Sequence, residues 1–454
     1  MKSSHTVIIG NGISGVTTAR HLRKRSNDPI TIISGESDHF YSRTALMYIF
    51  MGHMRYKDTK PYEDSFWKKN KINLRKDWVT KIDFENQLVH FHQGNPMKYD
   101  KLVLATGSKP NKFGWTGQES LGVQGLYSLQ DLESMEAAMK RGVKKAVIVG
   151  GGLIGVEMAE MLQSRGVEVC FLVRESRFWG NVLPREEAEM IGHHMVKDHH
   201  VDLRLEKNLD SIQADEEGWV KSVKIKETGE IIECDFLGLT PGVSPNIDFL
   251  KDSGLDLDRG IMVNEYLETN KENVYALGDC AQFLRPPGKN RRNIEQVWYT
   301  GRMMGECLGK TLSGNKTPYK PGVWFNSAKF FDIEYQTYGW VFPRQEEDQT
   351  TFFWKHPKKD IALRLVFKTQ SNQLLGVNAF GIRLRHQLLD EILSSKGSAR
   401  EFLRYFKDYV FDPEFFTNHG REIVKEYNQE FEDFVELKSK SWNRIKTVLN
   451  KNLR

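Results

Sequence analysis

Two six-residue stretches of this chain carry the residue types and spacing that hold a pyrophosphate. In Gly10-Asn11-Gly12-Ile13-Ser14-Gly15 the first glycine permits a tight turn after the apolar run Val7-Ile8-Ile9. The second lets backbone N–H groups approach phosphate oxygens, and the third lets a helix pack closely. That helix begins around Ser14 and aims the partial positive charge of its N-terminus at the same oxygens. Glu36 follows the next apolar run, where a carboxylate accepts hydrogen bonds from an adenosine ribose. Gly150-Gly151-Gly152-Leu153-Ile154-Gly155 repeats the spacing between Ala146-Val147-Ile148-Val149 and a helix bearing Glu157 and Glu160. Past its return strand, where a second ribose belongs, stand Arg174, Glu175 and Arg177. Arg174 and Arg177 suit the 2′-phosphate of NADPH, and Glu175 suits the free 2′-hydroxyl of NADH. The usual acid position falls on Val173 and the phosphate-binding arginine position on Arg174, so both nucleotides stay open with a lean to NADPH.

The elements that must position these loops follow from periodicity. Strands at 7–9 and 30–33 flank a helix at 14–24, and strands at 146–149 and 167–173 flank a helix ending near 165, giving two βαβ units. Tyr99 to Gly107 and Phe236 to Gly242 are apolar strands that stop at small-residue turns, and each closes one nucleotide domain. The expected fold is α/β, with two Rossmann-like dinucleotide-binding domains, the second inserted in the first. The expected domains are residues 1–113 with 239–316, then 114–238, then a β-rich segment at 317–385 with strands at 323–326, 351–354, 362–367 and 374–380. A helical, basic extension at 386–454 completes the chain.

At 454 residues the chain is long enough for two to four such cores. Its 37 glycines against 14 prolines, with 39% hydrophobic and 28% charged residues, exclude a fibrous or disordered chain. The +5 net charge is too slight over this length to imply a nucleic-acid partner. Apolar runs fall short of the roughly 18 residues that cross a bilayer, and Met1-Lys2-Ser3-Ser4-His5 leads directly into a strand. Cys170, Cys234, Cys280 and Cys307 are scattered without zinc or iron-sulfur spacing. These features set the expectation of a soluble, cytoplasmic protein with no secretion signal, no integral membrane segment and no metal.

With two glycine loops in order, residues 5–385 resemble the FAD-dependent pyridine nucleotide-disulfide oxidoreductase superfamily. The resemblance implies that the first loop holds the FAD pyrophosphate and the second holds NADH or NADPH. Leu102-Val103-Leu104-Ala105-Thr106-Gly107 is similar to the segment that passes beneath the FAD through Ala105, Thr106 and Gly107. Val79 matches the position whose backbone meets the adenine, and Gly242 ends the corresponding turn of the second domain. Asn273-Val274-Tyr275-Ala276-Leu277-Gly278-Asp279 resembles the segment ending in Gly-Asp, whose aspartate hydrogen-bonds the ribityl chain. Gly278 and Asp279 otherwise form a helix cap. The β-rich segment is similar to the family's α+β interface domain, which implies a homodimer.

Disulfide-reducing members place a cysteine beside the flavin. Aligned on Gly52, Thr44 occupies that position, and threonine forms neither a mixed disulfide nor a sulfenic acid. Cys280, beside Asp279, is read as a small buried hydrophobe. Tyr41-Ser42-Arg43-Thr44-Ala45-Leu46 instead resembles the rubredoxin and ferredoxin reductases, the nitrite reductase flavin domain and apoptosis-inducing factor, which makes Arg43 an FAD phosphate contact. Several such reductases carry a lysine at Tyr48, paired with a glutamate near flavin N5, so Glu157 is the catalytic candidate with an open partner, or an ordinary helix glutamate. Val297 and Trp298 resemble the backbone N–H and aromatic side chain at the flavin pyrimidine, with core packing as the other reading of Trp298. The function implied is hydride transfer from NAD(P)H to FAD, then electron delivery to a separate acceptor. A ferredoxin or rubredoxin docking on Arg285, Lys289, Arg291 and Arg292 is one reading of that basic run, and a solvated loop is the other. An oxidase or quinone reductase, and a flavin-binding interaction protein, stay as alternatives.

Overall fold

A computed structural model describes residues 4–411 and 417–438. The chain divides into two compact units, Met1–Arg174 with Glu206–Pro321, and Glu175–Leu205 with Gly322–Arg454.

In the first unit the strand Thr6–Ile9 is buried at every position, as an interior strand of a parallel sheet with both faces covered must be. Lys101–Leu104 and Ile30–Ser34 flank it in parallel, with Ile8 opposite Val103 on one side and Ile32 on the other. Val274–Ala276 and Ile72–Lys76 complete the five-stranded sheet. The expected helix at 14–24 runs Ile13–Arg23. A second parallel arrangement has Lys145–Val149 between Glu168–Val173 and Phe236–Leu239, with Val123–Gln124 beyond the latter, and the helix Leu153–Ser164 follows its glycine loop.

The two loops are one device used twice. Gly10 and Gly150 have φ of +118° and +114°, and a Cβ on them would lie 2.0 Å from the Ala105 carbonyl oxygen and 2.5 Å from that of Thr240. Only glycine is free of cost in that conformation. A Cβ on Gly15 would lie 2.1 Å from the Gly10 oxygen, and one on Gly155 would lie 2.7 Å from the Gly150 oxygen. Behind the first loop, the helix Trp298–Leu312 presses on the helix Ile13–Arg23 through Gly301, Gly305 and Gly309. Cβ atoms there would lie 2.6 Å from Ser14 Oγ, 2.7 Å from Ser14 O and 2.5 Å from His21 Cβ. Sequence reading passed over this spacing of four, although its period is that of one helix face.

The second unit is built on an antiparallel sheet in the order Phe325–Phe330, Ile333–Gly339, Leu374–Phe380, Ala362–Lys368, Gln349–Lys355. The strand Ile333–Gly339 was not expected. It follows Phe325–Phe330 after a two-residue turn in which Phe331 has φ +56°. Leu389, Phe402 and Tyr427 from the following helices cover the sheet against Trp354, Leu363 and Leu365. These helices run His386–Ser394, Ala399–Arg404, Phe406–Tyr409 and Gly420–Phe431, residues 432–438 are not helical, and the basic residues beyond Lys438 lie outside the described residues.

The helix Arg185–Lys197 carries Glu187 into the same unit, fully buried. Its carboxylate accepts from Arg364 Nε and Asn378 Nδ2, each at 3.0 Å. Tyr335 donates to Asn378 Oδ1 at 3.2 Å. Burial pushes the Glu187 carboxyl up, against the pull of Arg364 and Asn378. Without Glu187, Arg364 keeps Glu186 at 2.8 Å as its countercharge, but its Nε and the buried Asn378 amide lose their acceptor. Glu187→Ala is therefore expected to destabilise the protein by about 1–3 kcal/mol, read as a lowered denaturant midpoint, while Glu187→Gln, which keeps an acceptor for Asn378, loses less.

Candidate functional site

The first glycine loop opens onto a cleft of about 770 Å³ that runs from Trp78 and Glu36 to Glu157 and Trp298, a size typical of small-molecule sites. Thirteen of the expected site residues line it: Gly10, Gly12, Ser14, Glu36, Arg43, Val79, Ala105, Thr106, Gly107, Ile154, Glu157, Asp279 and Trp298. Gly15 lies beneath its loop, and Gly278 sits behind Ser14, whose Oγ would be 2.4 Å from a Cβ there. Val297 is the residue before the helix Trp298–Leu312 and is not in the lining. Gly150, Gly152, Leu153, Gly155 and Gly242 gather around the second loop, outside this cleft. Arg174 ends the first unit and Glu175 begins the second.

A Cβ at Gly12 or Gly152 would meet nothing within 4 Å. Each second glycine thus leaves an open space above its loop, of the kind that lets a phosphate reach backbone N–H groups. The end where the adenosine is expected is held by Glu36. Its Oε1 accepts from Arg43 Nη1 at 2.9 Å, from the Leu129 N–H at 3.0 Å and from Tyr41, and its Oε2 accepts from Arg43 Nη2 at 2.6 Å. Burial works against ionisation, but the Arg43 guanidinium and these donors hold the carboxyl below its usual range. The two residues that sequence reading assigned separately, to ribose and to phosphate, form a bidentate pair here, and Arg43 also donates to the Tyr127 carbonyl.

At mid-cleft Asp279 Oδ2 accepts from Ser108 Oγ at 3.1 Å and lies 3.5 Å from the Tyr127 hydroxyl. Gln296 Nε2 donates to Ser108 Oγ at 2.8 Å, and the Ser108 N–H donates to Tyr127 Oη at 2.8 Å. Desolvation pushes the Asp279 carboxyl upward. Asp279 sits in a short 3-10 turn, Gly278–Cys280, that leads into a strand, so the cap reading fails. Ser108, Tyr127 and Gln296 were missed from sequence. Ser108 directly follows Ala-Thr-Gly and Gln296 stands two before Trp298, so adjacency to motif residues was the available signal.

At the far end, burial, and after it the neighbouring charge of Glu160, push the Glu157 carboxyl up to about 7. Tyr48 packs beside His53 with ring centroids 6.2 Å apart. Thr44 lines the cleft, and no cysteine does among the described residues. All four cysteines are buried as free thiols. The Cys280 sulfur sits 3.3 Å and 3.5 Å from the Leu277 and Leu104 carbonyl oxygens, and burial raises its pKa, which fits packing rather than redox chemistry. The basic run needs a correction. Arg285, Lys289 and Arg292 are exposed, but Arg291 is buried in a 2.7 Å ion pair with Glu295, to which Tyr319 donates at 3.0 Å. At the second loop Val173 is buried, with its methyls within 3.3 Å of where a Gly151 Cβ would stand, so the usual acid position is apolar. Asn181 Nδ2 donates to Glu175 at 2.9 Å.

Among the described residues, no helix is long and apolar enough to cross a membrane. The chain is 28% identical over 385 residues to nitrite reductase [NAD(P)H] of Bacillus subtilis, covering 84% of this chain but only 46% of that protein's length. It is 30% identical over 323 residues to the nitric oxide reductase FlRd-NAD(+) reductase of Shigella flexneri, covering 70% of this chain and 81% of the relative. Its fold is that of the covalent putidaredoxin reductase-putidaredoxin complex, with a TM-score of 0.75 at 21% identity over 87% of this chain and 93% of the matched one. The family model described as pyridine nucleotide-disulphide oxidoreductase matches residues 4–305. With both glycine loops and the Gly-Asp turn inside that span, the chain belongs to the pyridine nucleotide-disulphide oxidoreductase family, whose members are FAD-dependent NAD(P)H oxidoreductases.

Proposed function

We propose that this protein passes electrons from NAD(P)H through FAD to a separate one-electron carrier of the ferredoxin or rubredoxin kind. The observation that carries this reading is Thr44 in the cleft wall, with every cysteine buried elsewhere. Reduced flavin has no thiol to reduce, so its electrons leave to an outside acceptor. The relative named for FlRd and NAD(+), 30% identical, supports a protein acceptor, and exposed Arg285, Lys289 and Arg292 suit an acidic one. Four buried thiols, none in a disulfide, fit a reducing cytoplasm.

In this reading Gly10, Gly12 and Ser14 offer N–H groups to the FAD pyrophosphate. Glu36, held ionised by Arg43, accepts from the ribose, and Val79 flanks the adenine. Ala105, Thr106 and Gly107 line the floor, and Asp279, set by Ser108 and Tyr127, accepts from the ribityl chain. Gly150, Gly152, Leu153 and Gly155 receive NAD(P)H. FAD supplies the two-electron to one-electron conversion when bound. Trp298 and Glu157 border the reacting end, where Glu157 holds or releases a proton near neutrality.

Anaerobic NADPH or NADH is expected to bleach the flavin, with rapid reoxidation by ferredoxin or rubredoxin that slows as salt rises. A protein that reoxidises only with quinone or oxygen sinks the carrier assignment, and one that cannot be loaded with FAD sinks the whole reading. Because the Glu157 carboxyl titrates above its unfolded value, it is neutral below about 7 and becomes an anion as pH rises through that point. A negative charge there opposes electron arrival on the flavin, so the stopped-flow reduction rate is expected to fall through about pH 7 in the parent and to stay flat in Glu157→Gln. The same sign makes Glu157→Gln more stable than the parent at pH 8 and not below pH 4.5, the ordinary glutamate value. Arg174 faces the 2′-phosphate in this reading. Arg174→Ala is expected to lower kcat/KM for NADPH by roughly 10-fold to 100-fold, the worth of one charge-assisted hydrogen bond, with NADH affected little.

A further inference from the structure

The second unit holds a group of side chains that the electron-transfer reading does not use. His194, near the C-terminal end of the helix Arg185–Lys197, is buried with 5% of its side chain exposed. Its Nε2 lies 2.6 Å from Asp332 Oδ1 and 3.1 Å from His199 Nε2, and His199 Nε2 lies 2.9 Å from the same Asp332 oxygen. On its other side, His194 Nδ1 lies 3.0 Å from Asp198 Oδ2 and 3.2 Å from Asp360 Oδ2.

The tautomer follows from these neighbours. Two carboxylates are acceptors, so Nδ1 carries the proton it gives them. A neutral His194 then points the Nε2 lone pair at a carboxylate oxygen and at a second imidazole nitrogen. Such an arrangement repels itself, and a cation among the three atoms, or a further proton on the ring, removes the repulsion. Their separations form a triangle small enough for one ion to touch every corner. At bond lengths of about 2.05 Å the ion would sit roughly 1.2 Å off their plane, and Asp332, 73% exposed, gives water access to the group. The partners of Nδ1 supply the outer carboxylates that orient metal-bound imidazoles. His199 is fixed by stacking on Phe331, 4.1 Å between centroids and 20° between planes. Charge agrees: Asp198, Asp332 and Asp360 face the cluster, with Lys355 3.4 Å from Asp360 as the countercharge. A divalent ion neutralises the remainder.

We propose that His194, His199 and Asp332 bind one divalent transition ion of the Zn2+ class, with Asp198 and Asp360 as outer-shell carboxylates and water completing the coordination. Two imidazole nitrogens and one carboxylate oxygen select such an ion over Mg2+ or Ca2+. The ion fastens the Phe331-Asp332 turn to the end of the helix Arg185–Lys197.

The test uses the full FAD-loaded chain after chelator treatment, titrated with Zn2+ against a chromophoric competitor and separately with Co2+ by visible absorption. One ion per chain is expected, with ligand-field bands from bound Co2+. Asp332→Asn and His199→Gln each weaken binding by about 100-fold or more, and Asp360→Asn weakens it by about 10-fold, as outer-shell losses do. Because Asp332 and His199 are partly exposed, these variants fold, which circular dichroism and unchanged flavin absorbance verify. Zn2+ binding that is equal in Asp332→Asn and the parent, or no saturation at micromolar metal, overturns the site. A cluster held by protons alone, seen as chelator-insensitive stability that grows only as pH falls, overturns it as well.

Discussion

Everything the cleft does depends on how closely backbone can approach backbone beneath it. The Gly10 Cα stands where any side chain would collide with the Ala105 carbonyl, and the helix Ile13–Arg23 rests on the Gly10 carbonyl through Gly15. The helix Trp298–Leu312 closes on it from behind through three glycines at helical spacing. These contacts bring three parts of the chain, distant in sequence, to one wall: the phosphate loop, the Ala-Thr-Gly turn and the segment bearing Gln296 and Trp298. Each contact removes a Cβ, so each exchanges side-chain packing for proximity. The exchange is favourable because the buried strand Thr6–Ile9 and its neighbours supply the apolar core, while the glycines determine where the cleft lies.

This arrangement explains which features could be read in the sequence. Gly10 to Gly15, Gly150 to Gly155, Ala105 to Gly107 and Gly278-Asp279 are local: spacing along the chain fixes the geometry, so the motifs and the parallel sheets around them were legible. Ser108 and Gln296 stand beside motif residues, yet only the fold joins Gln296 to Ser108 and sets Ser108 and Tyr127 against Asp279, and Tyr127 has no motif beside it. The strand Ile333–Gly339 was hidden because its turn, Phe331-Asp332, contains no glycine or proline to announce it. Arg291 looked like part of a basic run and is instead neutralised inside by Glu295, a partner four residues on that fits one turn of helix although the segment is not helical. His194 and His199 stand 138 and 133 residues from Asp332 along the chain. Local spacing therefore excluded a metal where three-dimensional proximity suggests one.

The carboxylates along the cleft show how one chain sets opposite protonation preferences within a single site. Glu36 and Glu157 are both drawn out of water, which raises the cost of ionising either. Glu36 is given a guanidinium, a phenol and an amide N–H within hydrogen-bonding reach, and its charge is retained. Glu157 faces burial and the charge of Glu160, and its carboxyl moves to neutrality. Among the described residues, no cation or hydrogen-bond donor offsets these two effects on Glu157. Glu157 is therefore a group that changes charge near pH 7 instead of one locked as an anion. A flavin site that is reduced and reoxidised passes through states of different charge, and a neighbour that can gain or lose a proton at that pH damps those differences where a fixed ion pair could not.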